Sequence, residues 1–380
     1  MIFISFIYTF FCFFLLWNWF FISIKNQKKI IKKSNTFVKK NELYFISVVV
    51  PARNESQNIL QLLDSLVNQS FEKQSFEVII IDDNSTDNTA ELVKDYILKN
   101  KINLKILYAD KNFAYSPKKQ ALTLGITHAQ ARLIITTDAD CVAPPKWLET
   151  IWDFYQKTDA KLISSPVTFA TNHTFFSHFQ AIDFASLVAS GAISLSLNMP
   201  NMANGANLAY TKEVFDILGG YKNTPQIASG DDEFLLQKIA QKYPQEIYFL
   251  ADKNAIITTK PSQNWGEFYR QRKRWASKWK YYKDWKTKLL AFFIFLVNLN
   301  ILAASFLFFL NFISFYFFVG IIFLKIIPEF IFLSIILIFF NHQKSIPFIF
   351  LVQMIYPFYV IFFAFAGFGK KYHWKGRDLS

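Results

Sequence analysis

The chain has 380 residues, 52% of them hydrophobic and 19% aromatic, with 41 Lys+Arg against 28 Asp+Glu and only two cysteines. This balance excludes a disordered chain, an ordinary soluble enzyme, a disulfide-stapled module and a cysteine-based zinc site. The apolar excess is uneven: residues 1–24 and 289–324 contain no Lys, Arg, Asp or Glu, and each is long enough to cross a hydrocarbon core of about 30 Å.

In chain order, residues 1–24 read as an uncleaved transmembrane anchor, because the stretch lacks the basic start and small-residue cleavage site of a signal peptide. Residues 25–44 follow with seven Lys and one acid, and residues 260–288 carry ten Lys+Arg and two acids. Both basic clusters abut apolar spans. That placement predicts a cytoplasmic face apposed to a lipid bilayer rather than a nucleic-acid groove, and nucleic acid is not expected as a partner.

From Phe45 the chain enters a short β-branched run ending at Pro51, which predicts a buried parallel strand. Ile59, Leu62, Leu63, Leu66 and Val67 then recur at helical spacing. Val78–Asp82 predicts a second strand and Thr89–Leu98 a second helix. Lys105–Tyr108, Lys118–His128 and Leu133–Thr137 continue the alternation as strand, helix and strand. The series predicts an α/β fold, a mostly parallel sheet with helices on both faces.

In such a sheet ligands sit outside the carboxyl ends of the strands, and those ends are acidic here: Pro51-Ala52-Arg53-Asn54-Glu55, Asp82-Asp83-Asn84-Ser85 and Asp138-Ala139-Asp140. Asp and Asn are common in turns, but three such ends in succession would repel one another unless a cation or ligand joined them. Asp138 and Asp140 offer the oxygen ligands that Mg²⁺ or Mn²⁺ takes, with positions left for phosphate. Asp83 can accept a hydrogen bond from a base or ribose, and Lys118 stands at a helix start where phosphate charge is welcome. The glycine-rich phosphate loops of NTPases and dinucleotide enzymes are missing.

These motifs resemble the membrane-bound family 2 glycosyltransferases with the GT-A fold, the group of the cellulose, chitin and hyaluronan synthases, over about Phe45–Trp285. The resemblance implies donor binding by Pro51, Ala52, Glu55, Asp82, Asp83, Lys118 and Asp138, with Pro117 where the family pattern has Gly. It implies a metal site at Asp138 and Asp140. It places Gly205, Ala206 and Asn207 at the sugar and acceptor side, with Asp231 in the place of the family's usual Glu and Asp232 as general base. Gln271-Arg-Lys-Arg274-Trp275 resembles the Gln-x-x-Arg-Trp signature, in which Arg274 would pair with the donor diphosphate and Trp275 would offer a face to donor or acceptor sugar. Acids at a helix start and aromatics among basic residues also suit a capped helix and an interfacial helix, and both readings can hold together.

Beyond this motif, Leu289–Leu310 and Ile346–Ala366 read as membrane spans, and Phe312–Phe340 reads as either one helix with Lys325 and Glu329 at membrane depth or two short ones. The basic tail favours two or four carboxyl-terminal spans over three. The expected organisation is an anchor at 1–24, a GT-A domain at 41–263, an interfacial helix at 264–285, two to four transmembrane helices at 286–369 and a basic tail at 370–380. The expected activity is inverting transfer of a hexosyl group from a nucleotide-diphospho-sugar to a lipid-linked or saccharide acceptor, with Mg²⁺ or Mn²⁺, by a multi-pass protein of the inner (cell) membrane with its catalytic domain in the cytoplasm. The alternatives are a processive polysaccharide synthase and a non-catalytic membrane scaffold that keeps a nucleotide-sugar-binding fold.

Overall fold

Strands covered on both faces need apolar side chains throughout, and the first two strands have them. In the computed structural model, which describes residues 1–31, 44–100, 102–110, 116–222, 230–278, 284–366, 372–374 and 377–379, β1 (Ile46–Ala52) and β2 (Phe76–Asp82) pair in parallel from Ile46 opposite Phe76 to Ala52 opposite Asp82. β3 (Leu104–Tyr108) adds in parallel beyond β2, and β4 (Leu133–Thr136) adds on the other side of β1. The predicted helices connect them: α2 (Ile59–Val67), α3 (Thr89–Lys99) and α4 (Pro117–His128). The α/β expectation is met.

After α5 (Trp147–Thr158) come β5 (Leu162–Ser164), β6 (Val167–Phe169), α6 (Phe175–Ser196), β7 (Leu208–Thr211), α7 (Lys212–Ile217), α8 (Asp231–Lys242), β8 (Ile247–Phe249) and β9 (Ile257–Thr259). The main sheet runs β3-β2-β1-β4-β7-β5-β8, with β7 antiparallel to both neighbours, while β6 and β9 form a separate parallel pair. Strand order reverses at β1, so β1 and β4 flank the crevice in which an open sheet of this kind binds ligands.

Alternation along the strands splits the core between two faces. Val48, Val50, Val78 and Ile80 pack with Leu62, Leu63 and Leu66 of α2, and Val49, Ile79 and Ile81 pack with Ala121, Leu122 and Ile126 of α4. Helix α4 lies so close that a Cβ on Gly125 would stand 2.6 Å from both Ile81 and Val49. The second core layer does not end at the domain. It continues through Phe179, Ile182 and Ile193 of α6 to Trp19 and Ile22 of α1 (Ile2–Ile31) and Phe332, Leu333 and Ile336 of α11 (Phe315–Phe339).

The carboxyl-terminal part comprises α9 (Trp265–Ser277), α10 (Trp285–Phe309), α11 and α12 (Ile349–Ala366), then two short paired strands, β10 (Tyr372–Trp374) and β11 (Arg377–Leu379). Five helical segments among the described residues are long and apolar enough to cross a membrane: α1, α6, α10, α11 and the segment ending in α12. The segment read as ambiguous is one helix with Pro328 inside it. Lys325 and Glu329, one turn apart, face α1: they pair at 2.9 Å, and Glu329 accepts from Tyr8. Among the described residues three long apolar helices follow the domain, where tail charge favoured two or four. Helix α12 packs on α6 and α9, and the described strand β10 of the tail lies against α9. Residues 279–283 of the expected interfacial segment and part of the tail lie outside the described residues.

Gly125→Ala should lower stability by about 1–3 kcal/mol through overpacking, read as a lower unfolding midpoint of the detergent-solubilised chain. An unchanged midpoint would show that the helix and sheet can part at no cost.

Candidate active site

The loops after β1 and β2 lock each other before any ligand is considered. Arg53, buried, donates from Nη1 to the carbonyls of Asp83 and Asn84, each at 2.6 Å. Asn54, in the left-handed region with φ 53°, accepts from the Thr86 N–H at 2.8 Å, and the Glu55 N–H donates to Thr89 Oγ1 at 2.8 Å. Pro51, Ala52, Glu55 and Asp83 are thereby fixed along the wall of one cavity of about 1320 Å³. Asp82 is not on that wall. Its Oδ2 accepts from the Ser85 N–H at 3.2 Å to close the turn after β2, and its buried Oδ1 has no hydrogen-bond partner among the described residues. As an expected donor contact, Asp82 is better described as shaping the turn that presents Asp83.

From β4 the same wall receives Asp138 and Asp140, and from the start of α4, Lys118. Lys118 Nζ is 2.8 Å from Asp138 and 3.4 Å from Asp231. Burial alone would push its ammonium down, but Asp138 and Asp231 together hold it well above the ordinary lysine value. Among the described residues no group of three His, Cys, Asp or Glu could hold an ion unaided. Asp138 and Asp140 fit a divalent ion in the other way, as two hard oxygen ligands that leave the remaining positions to a diphosphate and water.

On the far side, α8 opens with Asp231, Asp232 and Glu233 behind Gly230 at φ 83°. Asp232 lines the cavity, and each of its oxygens accepts a backbone N–H: Oδ2 from Gly205 at 3.0 Å and Oδ1 from Glu233 at 2.8 Å. A Cβ on Gly205 would lie 3.1 Å from Asp231 Oδ2, so only glycine gives this approach without displacing the acid. Burial would raise the Asp231 carboxyl, but Lys118 and Lys278 hold it below the ordinary carboxylate range. Its contribution to stability is therefore present above the unfolded value of about 3.9 and is lost as pH falls through the lower folded value.

Ala206 joins Gly205 on the cavity wall, but Asn207 does not. It is fully buried, donates to the Pro166 and Ala255 carbonyls, each at 2.7 Å, and accepts from Trp147 Nε1 at 2.9 Å. The expectation that Asn207 contacts an acceptor is corrected on that ground: its hydrogen-bonding capacity ties the segment to β5–β6 and α5.

Gln271, Arg274 and Trp275 of α9 all reach the cavity, and Gln271 Oε1 is buried without a partner among the described residues. Arg272, next to Gln271, does not line the cavity. Its Nη2 pairs at 2.6 Å with Asp183 of α6, with side chains 3% and 1% exposed, and its guanidinium lies 4.2 Å from the Trp275 ring. Tyr356 and Tyr359 of α12 donate to the same carboxylate at 3.4 and 3.3 Å. Sequence reasoning missed this cluster. One signal for it was available, an aspartate inside an apolar 22-residue helix, which needs a partner.

The cavity extends beyond these residues between α1, α6, α10, α11 and α12, past Phe11, Leu15, Ser190, Leu290, Phe295 and Phe363. Comparison with known proteins now adds to this geometry. The model of Glycosyl transferase family group 2 matches residues 133–365, and that of Glycosyl transferase family 2 matches residues 47–209. The chain belongs to the family 2 glycosyltransferases. Glycosyltransferase AglE of Haloferax volcanii is 25% identical over 61% of this transferase and 72% of its own length. Probable glycosyltransferase YdaM of Bacillus subtilis is 26% identical over 84% of this transferase and 72% of its own length. Among solved structures, the mannosyltransferase PcManGT from Pyrobaculum calidifontis, in complex with GDP-Man and Mn²⁺, aligns at 18% identity and TM-score 0.49, covering 69% of this transferase and 73% of that chain.

Arg272→Met should destabilise the transferase by about 3–5 kcal/mol, because it leaves Asp183 buried and uncompensated, and adding Asp183→Leu should return much of the loss. Unfolding midpoints of the two variants in detergent test this. A single variant as stable as the parent would mean that the pair does not hold α6 to α9.

Proposed function

We propose that this family 2 glycosyltransferase is an inverting enzyme that moves a hexosyl group from a nucleotide-diphospho-sugar to a lipid-linked or saccharide acceptor, at the cytoplasmic face of the inner (cell) membrane. The observation that carries the reading is the single cavity that joins the acidic sheet edge at Asp83, Asp138 and Asp140 to a wall of apolar helices, with Asp232 between them. At about 1320 Å³ it exceeds the roughly 300–1000 Å³ typical of a site for one small ligand. Two substrates arriving from opposite ends account for that size.

The donor lies along Pro51, Ala52, Glu55 and Asp83, with its diphosphate toward Lys118 and Arg274. Asp138 and Asp140 are the residues that would hold Mg²⁺ or Mn²⁺, which would neutralise charge on the departing diphosphate. Asp232 accepts the proton of the acceptor hydroxyl as that oxygen attacks the anomeric carbon. Attack from the side opposite the diphosphate inverts the centre without a covalent intermediate on the enzyme. Trp275, beside Arg272 and 5.8 Å from the Phe184 ring, is packed firmly enough to serve as a platform for a sugar.

An acceptor drawn from the membrane suits the apolar lining better than one that arrives from water. Basic residues at both membrane junctions favour the cytoplasmic orientation. Retention of cavity-facing acids, Lys118, Arg274 and Trp275 argues against a scaffold that has lost its chemistry.

Nucleotide release by the full chain in lipid nanodiscs, tested against a panel of nucleotide-sugars with extracted membrane lipid and with or without Mn²⁺ or Mg²⁺, identifies the donor. Asp232→Asn should reduce transfer by about 10²–10⁴-fold while nucleotide still binds, and Asp140→Ala should weaken donor binding chiefly when metal is present. Parental transfer by Asp232→Asn, or metal-independent turnover in the parent, would overturn the corresponding assignment. Product length on a sizing gel separates single transfer from chain elongation.

A further inference from the structure

The acids at the start of α8 have a cation on each side, and the second, Lys278, belongs to no motif considered so far. It follows the last turn of α9, three residues after Trp275, is 6% exposed and lines the cavity. Its Nζ lies 3.1 Å from Glu233 Oε1 and 3.8 Å from Asp232 Oδ1. Asp232 is thus approached from three directions: the Gly205 N–H, the Glu233 N–H and this ammonium.

Two backbone hydrogen bonds and the nearby charge of Lys278 leave this carboxylate little freedom to turn. They also come from three places in the chain, the segment before β7, α8 itself and the membrane-side helix α9. A lysine at the surface would be a solvated charge on a flexible stem. Here burial and two acids hold it in one place, and the ammonium stays protonated because Glu233 and Asp232 outweigh the effect of burial.

We propose that Lys278 is a positioning residue for the transfer step, holding Asp232 in the orientation that receives the acceptor proton and making that orientation depend on the docking of α9 against α8. The inference rests on the reading of Asp232 as the base. In the step, the acceptor O–H bond breaks and its proton passes to Asp232. The acceptor oxygen bonds to the anomeric carbon, and the bond from that carbon to the diphosphate breaks with its electron pair leaving on the diphosphate. The Asp232 charge is lost as the proton arrives. Glu233 then remains as the partner of Lys278, so the ammonium stays in place rather than following the departing anion. The proton leaves Asp232 to water before the next turnover.

The test uses the full chain in nanodiscs, the donor that releases nucleotide, and extracted membrane lipid or water as acceptor. Lys278→Ala should lower kcat about 10- to 100-fold, less than loss of the base itself, with the donor KM changed less than about twofold. Lys278→Arg should keep most of the rate, and Lys278→Gln, which keeps length without charge, should lose as much as the alanine variant. Ethylammonium, small enough to enter from the cavity, should restore part of the rate of Lys278→Ala and none of that of Lys278→Gln. In an Asp232→Asn background, Lys278→Ala should cost less than a further factor of about two, because Lys278 acts through Asp232. Equal losses in both backgrounds without response to ethylammonium, or full activity of Lys278→Gln, would overturn the proposal and leave Lys278 a structural tie. Parental transfer by Asp232→Asn alone would instead remove the base assignment, and the proposal with it, which is a separate result from failure of the lysine variants.

Discussion

Carboxylates that follow β1, β2 and β4 and that open α8 face one cavity, and so many like charges repel one another unless cations stand among them. Two lysines do this, one at the start of α4 and one just after α9. Lys118 bridges Asp138 and Asp231, linking the acidic sheet edge to α8, and Lys278 bridges Asp232 and Glu233, linking α8 to α9. The cluster is therefore a set of interlocked pairs that spans the cleft. Each lysine is costly to bury alone and is kept charged by acids that are equally costly to bury alone. Under the proposed function an incoming diphosphate would add negative charge to this edge, and a divalent ion held by Asp138 and Asp140 would offset it.

The same logic operates one layer further from the sheet. Arg272 and Asp183 are both almost wholly buried, and the two tyrosines of α12 share the carboxylate with the guanidinium. Arg272 and Gln271 are neighbours on α9, so one helix turns an arginine inward to a structural pair while it presents Gln271, Arg274 and Trp275 to the cavity. The alternation of roles within five residues follows from helical geometry, in which adjacent side chains point about 100° apart.

How much of this was legible beforehand depended on whether a feature leaves a local trace. The βα alternation did, because parallel strands covered on both faces must be apolar runs and their helices must show one apolar face. Strands of three residues, such as β5, β6, β8 and β9, carry too little periodicity to be read. The acidic strand ends were visible as clusters, but not which member would face the cavity: Asp83 does and Asp82 closes a turn, Gly205 does and Asn207 is spent on three buried hydrogen bonds. Lys278 was hidden for a different reason. It sits in a basic run whose obvious explanation is the membrane surface, and its acidic partners are 45 and 46 residues away.

The continuity of the core gives these pairings a further role. Phe179, Ile182 and Ile193 of α6 pack in one cluster with α4 beneath the sheet and with Trp19 of α1 and Phe332 and Ile336 of α11 in the apolar shell. The domain and the apolar helices are accordingly one packed body and not two bodies joined by a linker, and packed cores transmit displacement instead of absorbing it. Helix α9 is tied to α6 through Arg272 and Asp183, and Lys278, which follows it, reaches Asp232 of α8. The apolar end of the cavity and the carboxylate at its centre are thus connected through a single helix, α9, and the side chains it pairs with.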